Sequence, residues 1–303
     1  MTTYLRNAWY VAGFADEFVP GAIVARTLLG QALALFRTAE GGIAALADRC
    51  VHRFAPLSAG RVRDGGASIE CPYHGLRFGA DGRCVHNPHG NGHIPRASDV
   101  ASRVVREKHR LAWLWAGDAA RADEPLIPDL PAVTGAPDDA TIRGCMPTAC
   151  EYQLLVDNIL DLTHADYLHA GMLGSGAITR CTPKVSEPGP RSVRIAWHSS
   201  GDLAPAAFDA HLREQGRPTD QWTEVTWTAP GCMELRVGGA NAHIRPILEH
   251  AFSQQDKPML EAQQKNIGGA EFWSLKPVLL PGDAGSVRVR RKLQQLIAQE
   301  QSA

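Results

Sequence analysis

Two short stretches decide the fold: Cys50-Val51-His52-Arg53-Phe54-Ala55-Pro56-Leu57-Ser58 and Cys71-Pro72-Tyr73-His74-Gly75-Leu76-Arg77-Phe78. Each offers one thiolate and one imidazole. Cys-x-His followed by Cys-x-x-His places two sulfurs and two ring nitrogens on neighbouring loops. Such a set can bind a [2Fe–2S] cluster, with both cysteines on one iron and both histidines on the other. Structural zinc also takes Cys₂His₂ sets, but zinc fingers usually pair Cys with Cys and His with His. Here each loop is mixed, and Cys-x-His is tighter than finger spacing. A lone core cysteine or histidine is the commonest explanation for any one of these residues. Four at this spacing argue for a metal site.

Around these loops the chain reads as short strands and turns from Tyr4 to Gly117. Ala32–Phe36 alternates as a strand, and Gly41-Gly42 turns it into Ile43–Ala47. Asp81-Gly82 predicts a hairpin between Leu76–Phe78 and Cys84-Val85. Leu111–Trp115 is a last apolar strand. This predicts an all-β domain over residues 1–117. Residues 118–148, with Pro125, Pro128, Pro131 and Pro137, predict an extended connection, which leaves 149–303 as a second domain.

That second part opens on a helical segment, Cys150–Leu173, with Leu155, Ile159 and Leu162 on one apolar stripe. Ser192–Trp197 and Trp222–Trp227 alternate as strands, the latter pairing across Pro230-Gly231 with Met233–Val237. Ala204–Gln215, Pro258–Gln264 and Val287–Gln299 predict helices. Strands around long helices give an α+β class. Asp161 and His164 share a helix face, but His169 lies five residues on and points away on an ideal helix. Both histidines reach one ion only if the helix is distorted between Ala165 and Leu168, and a π-bulge is a common device. Two histidines and a carboxylate with open positions form the facial triad of non-haem Fe(II) oxygenases. The bland reading is a surface helix with a polar side.

The chain has 303 residues, 44% of them hydrophobic and 21% charged, with a formal net charge of −1. Length suggests about two domains, and the charge gives no field for nucleic acid or membrane. Met1–Phe18 does not read as a signal peptide, and no apolar run approaches the ~20 residues of a membrane helix. Seven cysteines without a secretory signal predict a cytoplasmic protein with reduced thiols. The absence of a Gly-x-Gly-x-x-Gly fingerprint means electrons must come from a separate protein.

The two cluster stretches, Asn7–Ala12, the Trp113–Gly117 ending, Asp157–His164 and the tail Leu279–Val287 with Arg290-Arg291 resemble the Rieske non-haem iron oxygenases of the vanillate O-demethylase type. The resemblance implies an N-terminal all-β Rieske [2Fe–2S] domain held by Cys50, His52, Cys71 and His74. It implies a C-terminal helix-grip (START-like) catalytic domain, an antiparallel sheet around a long helix. His164 and His169 would hold mononuclear Fe(II), and Asp161 would bridge His164 to His74 across a subunit boundary in a homotrimer. A third iron ligand is implied far downstream, and Asp256 fits that place; as local sequence, an Asp just before a Pro-initiated helix is also a good N-cap.

The implied chemistry is O-demethylation or methyl hydroxylation of a small aromatic acid with O₂. NAD(P)H would act indirectly, through a flavin/iron–sulfur reductase or a ferredoxin. Arg49, Arg53, Arg77 and Arg83 could attract such an acidic partner, though ordinary surface arginines explain them equally. Ring cis-dihydroxylation and a non-catalytic Rieske electron carrier are the competing readings. A carrier has no need of His164, His169 and Asp256.

The sequence departs from the resemblance in one place. Between Gly239–His243 and Arg245–His250 a strand pair is expected and missing. The expectation is that the 303-residue sequence omits it, because those strands wall the substrate pocket and complete the sheet. Asn241 and His243 are weak pocket-lining candidates.

Overall fold

The structure is a computed structural model that describes residues 4–210, 212, 215–238 and 250–302. Asn241, His243 and the place of the expected strand pair lie outside the described residues. The chain divides into two compact units, residues 4–136 and 137–303.

The first unit is built from three antiparallel sheets. One has the order β1 (Trp9–Phe14), β11 (Leu111–Trp115), β10 (Val105–Lys108). A second has the order β2 (Ile23–Leu28), β3 (Gln31–Arg37), β4 (Ile43–Ala47), β9 (Ser102–Arg103). The third has the order β5 (Arg61–Arg63), β6 (Ser68–Glu70), β7 (Arg77–Gly79), β8 (Cys84–His86). The β3–β4 turn closes with Thr38 N donating to Gly42 O at 2.8 Å, as the Gly-Gly pair predicts. In the β7–β8 hairpin Gly82 has φ +84°, and a Cβ there would lie 2.0 Å from the Val100 carbonyl oxygen. Only glycine suits both constraints.

The core of this unit is aromatic. Trp9, Trp113, Trp115, Phe36 and Phe78 are buried, and Trp9 meets Trp115 edge-on with ring centroids 5.2 Å apart. Each such side chain contributes about 1.5–3 kcal/mol by leaving water. The stretch predicted as a free connection belongs in part to this unit. Trp9 Nε1 donates to the Asp123 carbonyl at 2.7 Å, Ile127 is buried, and Arg110 donates to the Ala136 carbonyl at 2.9 Å. Its prolines stop it forming long regular elements, apart from the short helix α1 (Pro131–Gly135), but do not stop it packing.

The second unit holds one antiparallel sheet of four described strands, in the order β12 (Lys184–Gly189), β13 (Ser192–Leu203), β14 (Pro218–Thr228), β15 (Cys232–Val237). Its inner face buries Val193, Ile195, Trp197, Val225 and Trp227, every second residue, as a strand with one wet face requires. The expected pairing of β14 with β15 is present, from Thr223↔Val237 to Thr228↔Cys232. The helical segment predicted over Cys150–Leu173 is three pieces: α2 (Tyr152–Leu160), a 3₁₀ turn Leu162–His164, and α3 (Ala165–Leu168). Along α2 the buried side chains are Leu154, Val156 and Leu160; of the predicted stripe Leu162 is buried while Leu155 and Ile159 are half-buried, and Ile159 and Leu162 face a cavity. Short helices α4 (Ala177–Arg180) and α5 (Ala206–Asp209) follow, then α6 (Lys257–Ile267) and the long α7 (Ala284–Gln301).

Helix α7 reaches both the sheet and α2 because Gly285 has no side chain. A Cβ there would lie 2.7 Å from Ile195 Cδ1 and 3.1 Å from the Leu160 carbonyl oxygen. A long helix against a four-stranded antiparallel sheet is the α+β helix-grip arrangement. Among the described residues no helix is long and apolar enough to cross a membrane.

The tie between α7 and α2 is ionic. Arg290 Nε donates to both Asp157 oxygens, at 3.0 and 2.8 Å, and Nη1 to Gln153 Oε1 at 2.8 Å. Its guanidinium lies 4.0 Å from the Phe272 ring centroid. Burial raises the Asp157 carboxyl pKa, and Arg290 offsets only part of that shift. Breaking a buried pair strands the remaining charge. Arg290→Met should therefore destabilise the protein by on the order of 3–5 kcal/mol in denaturant unfolding, and adding Asp157→Leu should recover much of the loss. A single variant as stable as wild type would show that the tie contributes nothing.

Candidate metal centres

The two loops of the first unit repeat one backbone pattern. Cys50 N donates to Ala55 O at 2.9 Å and Cys71 N to Leu76 O at 2.8 Å. Phe54 N returns to Cys50 O at 3.0 Å and Gly75 N to Cys71 O at 3.1 Å. The fourth residue after each cysteine takes a left-handed φ, +62° at Phe54 and +72° at Gly75. The non-glycine Phe54 is held there with Arg49 over its ring, 4.1 Å from the centroid. The loops are thus two copies of one turn, each placing a thiol inside and an imidazole outside.

Cys50 and Cys71 are buried in the apolar cluster of Leu57, Ile69 and Phe78. His52 is exposed and His74 half-buried, with ring centroids 4.4 Å apart. Burial pushes the Cys50 thiol pKa up, and Cys71 adds to the rise. Desolvation, then the nearby His52, pulls the His74 pKa down. A neutral imidazole is the ligating form, while the thiols must lose protons when metal binds. Two thiols on one side and two imidazoles on the other fit a [2Fe–2S] cluster with split ligation. His89 Nε2 lies 2.8 Å from the His74 carbonyl oxygen, which ties the second loop to the following segment. Of the four arginines near these loops, Arg77 pairs with Glu70 at 3.0 Å and Arg83 with Asp81 at 3.4 Å.

In the second unit, His164, His169 and Asp256 bring one ligand atom each within 4.8 Å of one another. Asp256 Oδ1 lies 3.1 Å from His169 Nε2 and 3.6 Å from His164 Nε2. The opposite ring nitrogens face carbonyls. His164 Nδ1 lies 2.6 Å from the Asp161 main-chain oxygen, and His169 Nδ1 lies 2.6 Å from Gln255 Oε1. A carbonyl only accepts, so each Nδ1 carries a proton, and Nε2 is the nitrogen that faces Asp256: with a proton it donates to the carboxylate, and without one it offers its lone pair to a metal. Burial works to lower the His169 pKa, but hydrogen bonds to Asp256 and Gln255 outweigh it, and the net shift is upward. Two imidazole nitrogens and a carboxylate fit a divalent iron with open positions.

The backbone achieves this by breaking the helix. Asp161 caps α2 at φ −125°, ψ 87°, and its carboxylate accepts from Thr163 N at 3.1 Å to start the 3₁₀ turn. The expected π-bulge between Ala165 and Leu168 is absent: that stretch is the single helical turn α3, and the helix ends at His169, whose backbone is at φ −111°, ψ 28°. A π-helical turn does occur at Ala251–Asp256, where it delivers Asp256. Asp256 sits in helical geometry and makes no capping bond, so its side chain is not an N-cap. The implied link from the Asp161 carboxylate to His164 runs instead through the Asp161 carbonyl. The carboxylate takes the Thr163 hydroxyl at 2.7 Å, and a Cβ on Gly282 would lie 2.6 Å from its Oδ1.

Two further residues at this site carry little signal in the sequence. Asn158 Nδ2 donates to Asp256 Oδ1 at 3.2 Å and lies 3.5 Å from His164 Nε2. Its own Oδ1 is buried without a hydrogen bond. An Asn inside a helix is unfavourable, and that cost was the available hint. Gln255 is the other; nothing local distinguishes it from its neighbour Gln254.

The His164 side chain is 24% exposed against 2% for Asp256. It opens on a cavity of about 300 Å³, whose walls include Ile159, Leu162, Trp197, Phe208 and Leu235. Such a cavity takes a small, largely apolar molecule.

The Rieske [2Fe-2S] domain family matches residues 8–100. The vanillate O-demethylase oxygenase C-terminal domain family matches residues 148–243 and 238–299. The chain is 38% identical to the oxygenase component of chloroacetanilide N-alkylformylase from Rhizorhabdus wittichii, over 98% of this chain and 97% of that one. It is 33% identical to the oxygenase component of dicamba O-demethylase from Stenotrophomonas maltophilia, over 97% and 98%. The crystal structure of dicamba monooxygenase bound to 3,6-dichlorosalicylic acid superposes with a TM-score of 0.88 at 31% identity, covering all of both chains. The first alignment runs over 347 positions although this chain has 303 residues, so the relative carries residues with no counterpart here. The two-part match of the C-terminal family puts an interruption near residues 238–243. With a Rieske [2Fe–2S] domain, a vanillate O-demethylase-type C-terminal domain and donor sets for a cluster and a mononuclear iron, the chain belongs to the Rieske non-haem iron oxygenases.

Proposed function

We propose that this chain oxidises a methyl or methoxy carbon on a small aromatic acid, as the oxygenase component of a multicomponent monooxygenase. The observation that carries the reading is the His164–His169–Asp256 set opening onto an apolar cavity. For an O-methyl substrate, O₂, two electrons and two protons convert Ar–O–CH₃ to a hydroxymethyl ether and water. The ether then collapses to a phenol and formaldehyde. A flavin/iron–sulfur reductase or ferredoxin supplies the electrons from NAD(P)H. The free state of all seven cysteines suits the cytoplasm.

Iron bound at His164, His169 and Asp256 supplies oxygen activation, and the cluster at Cys50, His52, Cys71 and His74 supplies electrons one at a time. The protein's own part is positioning and exclusion. Apolar side chains such as Ile159, Leu162 and Leu235 hold the ring and keep water out. Asn158 donates to the Asp256 carboxylate and fixes its direction. Asp161 orients His164 through its carbonyl. We assign its carboxylate the second half of a bridge, accepting from His74 of a neighbouring copy in a homotrimer. The support is the resemblance together with Asp161 Oδ2, which has no hydrogen bond among the described residues.

Reconstituted protein should contain three irons and two acid-labile sulfides per chain; stoichiometric zinc without sulfide would sink the reading. With a surrogate reductase, formaldehyde release should track NADH use across a panel of methoxylated and methylated aromatic acids. Formation of cis-diols alone would make the enzyme a dihydroxylase. Asp161→Asn should keep both metals and lose turnover by on the order of 10–100-fold, since it removes a charged acceptor at nearly constant size. Turnover at the wild-type rate would leave Asp161 only its capping role.

A further inference from the structure

The imidazole of His169 is held at both nitrogens by consecutive residues of one π-helical turn. Gln255 Oε1 lies 2.6 Å from Nδ1 and Asp256 Oδ1 lies 3.1 Å from Nε2. In a regular α-helix consecutive side chains diverge by roughly 100°, which would set residues 255 and 256 less well for one ring. The π turn over Ala251–Asp256 brings them together, and His169 is almost fully buried between them. We propose that Gln255 is a positioning residue: its carboxamide oxygen fixes the tautomer of His169, and its neutrality sets how strongly Nε2 donates to the metal. This rests on the reading of His164, His169 and Asp256 as a metal site.

The chemistry of the two histidines separates this role from general packing. His164 receives its orienting acceptor from the main-chain carbonyl of Asp161, which no side-chain substitution removes. His169 depends on a side chain. Were the carboxamide reversed, its NH₂ would donate to Nδ1, the ring proton would move to Nε2, and the lone pair facing Asp256 would be lost. A carboxylate at position 255 would accept the same proton but add charge, making the imidazole a stronger donor. Gln255 therefore orients without adding negative charge, and the donor set carries a single carboxylate, Asp256.

The experiment uses the full-length, cluster-loaded protein with its mononuclear site emptied, and Co(II) titrated by calorimetry. Gln255→Ala and Gln255→Leu should bind Co(II) about 10–100-fold more weakly than wild type. Gln255→Glu should bind at least as tightly as wild type, since it keeps the acceptor. Metal-free variants that melt with wild type rule out misfolding as the cause of any loss. Wild-type affinity in the Ala and Leu variants overturns the proposal, and so does a Glu variant as weak as Ala. Wild-type binding that survives both His164→Ala and Asp256→Ala overturns instead the assignment of the metal site, and this inference with it.

Discussion

The second unit is governed by a limit of helix geometry. Residues five apart on an α-helix point roughly 140° away from each other, so an unbroken helix cannot turn His164 and His169 toward one point. The chain meets this limit by ending α3 at Leu168, where the His169 backbone leaves helical space at φ −111°, ψ 28°. Asp161, three residues before His164, does three further jobs. Its backbone leaves helical space and ends α2. Its side chain caps the 3₁₀ turn that follows. Its carbonyl takes the proton of His164 Nδ1. Tight packing then holds the break in place. Gly174 lies against the Ala165 carbonyl, where a Cβ would come within 2.2 Å, and Met172, Leu173 and Gly174 all donate to the His169 carbonyl.

The opposite side of the site answers the same limit with the opposite device. His164 ends a 3₁₀ turn and His169 ends α3, whereas Gln255 and Asp256 sit on a wider π turn. Both irregularities give up regular helix hydrogen bonding, and each lies where a donor must be aimed. Burial makes the arrangement demanding. Asp256 and His169 are almost fully withdrawn from water, and a buried carboxylate is tolerable only with partners. Asn158 and the two imidazoles provide them in the metal-free chain.

What could be read from sequence was what is local. Both cluster loops announce themselves because their ligands are two and three residues apart, and the Gly41-Gly42 and Asp81-Gly82 turns because backbone chemistry there is intrinsic. An irregularity between the two histidines was demanded by their spacing, but its form was not: a π-bulge and a helix that stops at Leu168 satisfy the same requirement. Asn158 meets Asp256 across 98 positions of chain, and Gln255 meets His169 across 86. No periodicity or turn chemistry encodes a partner that distant. The extended connection predicted over residues 118–148 has a related reason. Proline content reports on backbone regularity, whereas their attachment comes from single contacts such as Trp9 to Asp123.

The two metal sites share an asymmetry that bears on how electrons move. In each, part of the donor set is buried and a histidine forms the accessible edge. In the first unit the thiols sit in an apolar core while His52 and His74 look outward. A cluster held by these four residues would have the raised potential of split ligation, with His52 and His74 on its accessible side. In the second unit His169 and Asp256 are closed off while His164 is partly open, and the Asp161 carbonyl sits directly behind the His164 ring. The accessible edge of each donor set is thus an imidazole, and that edge is where an electron donor or acceptor would make contact. Burial on the remaining sides keeps water from the reactive atoms, and the histidine edges provide the contact that full burial would deny.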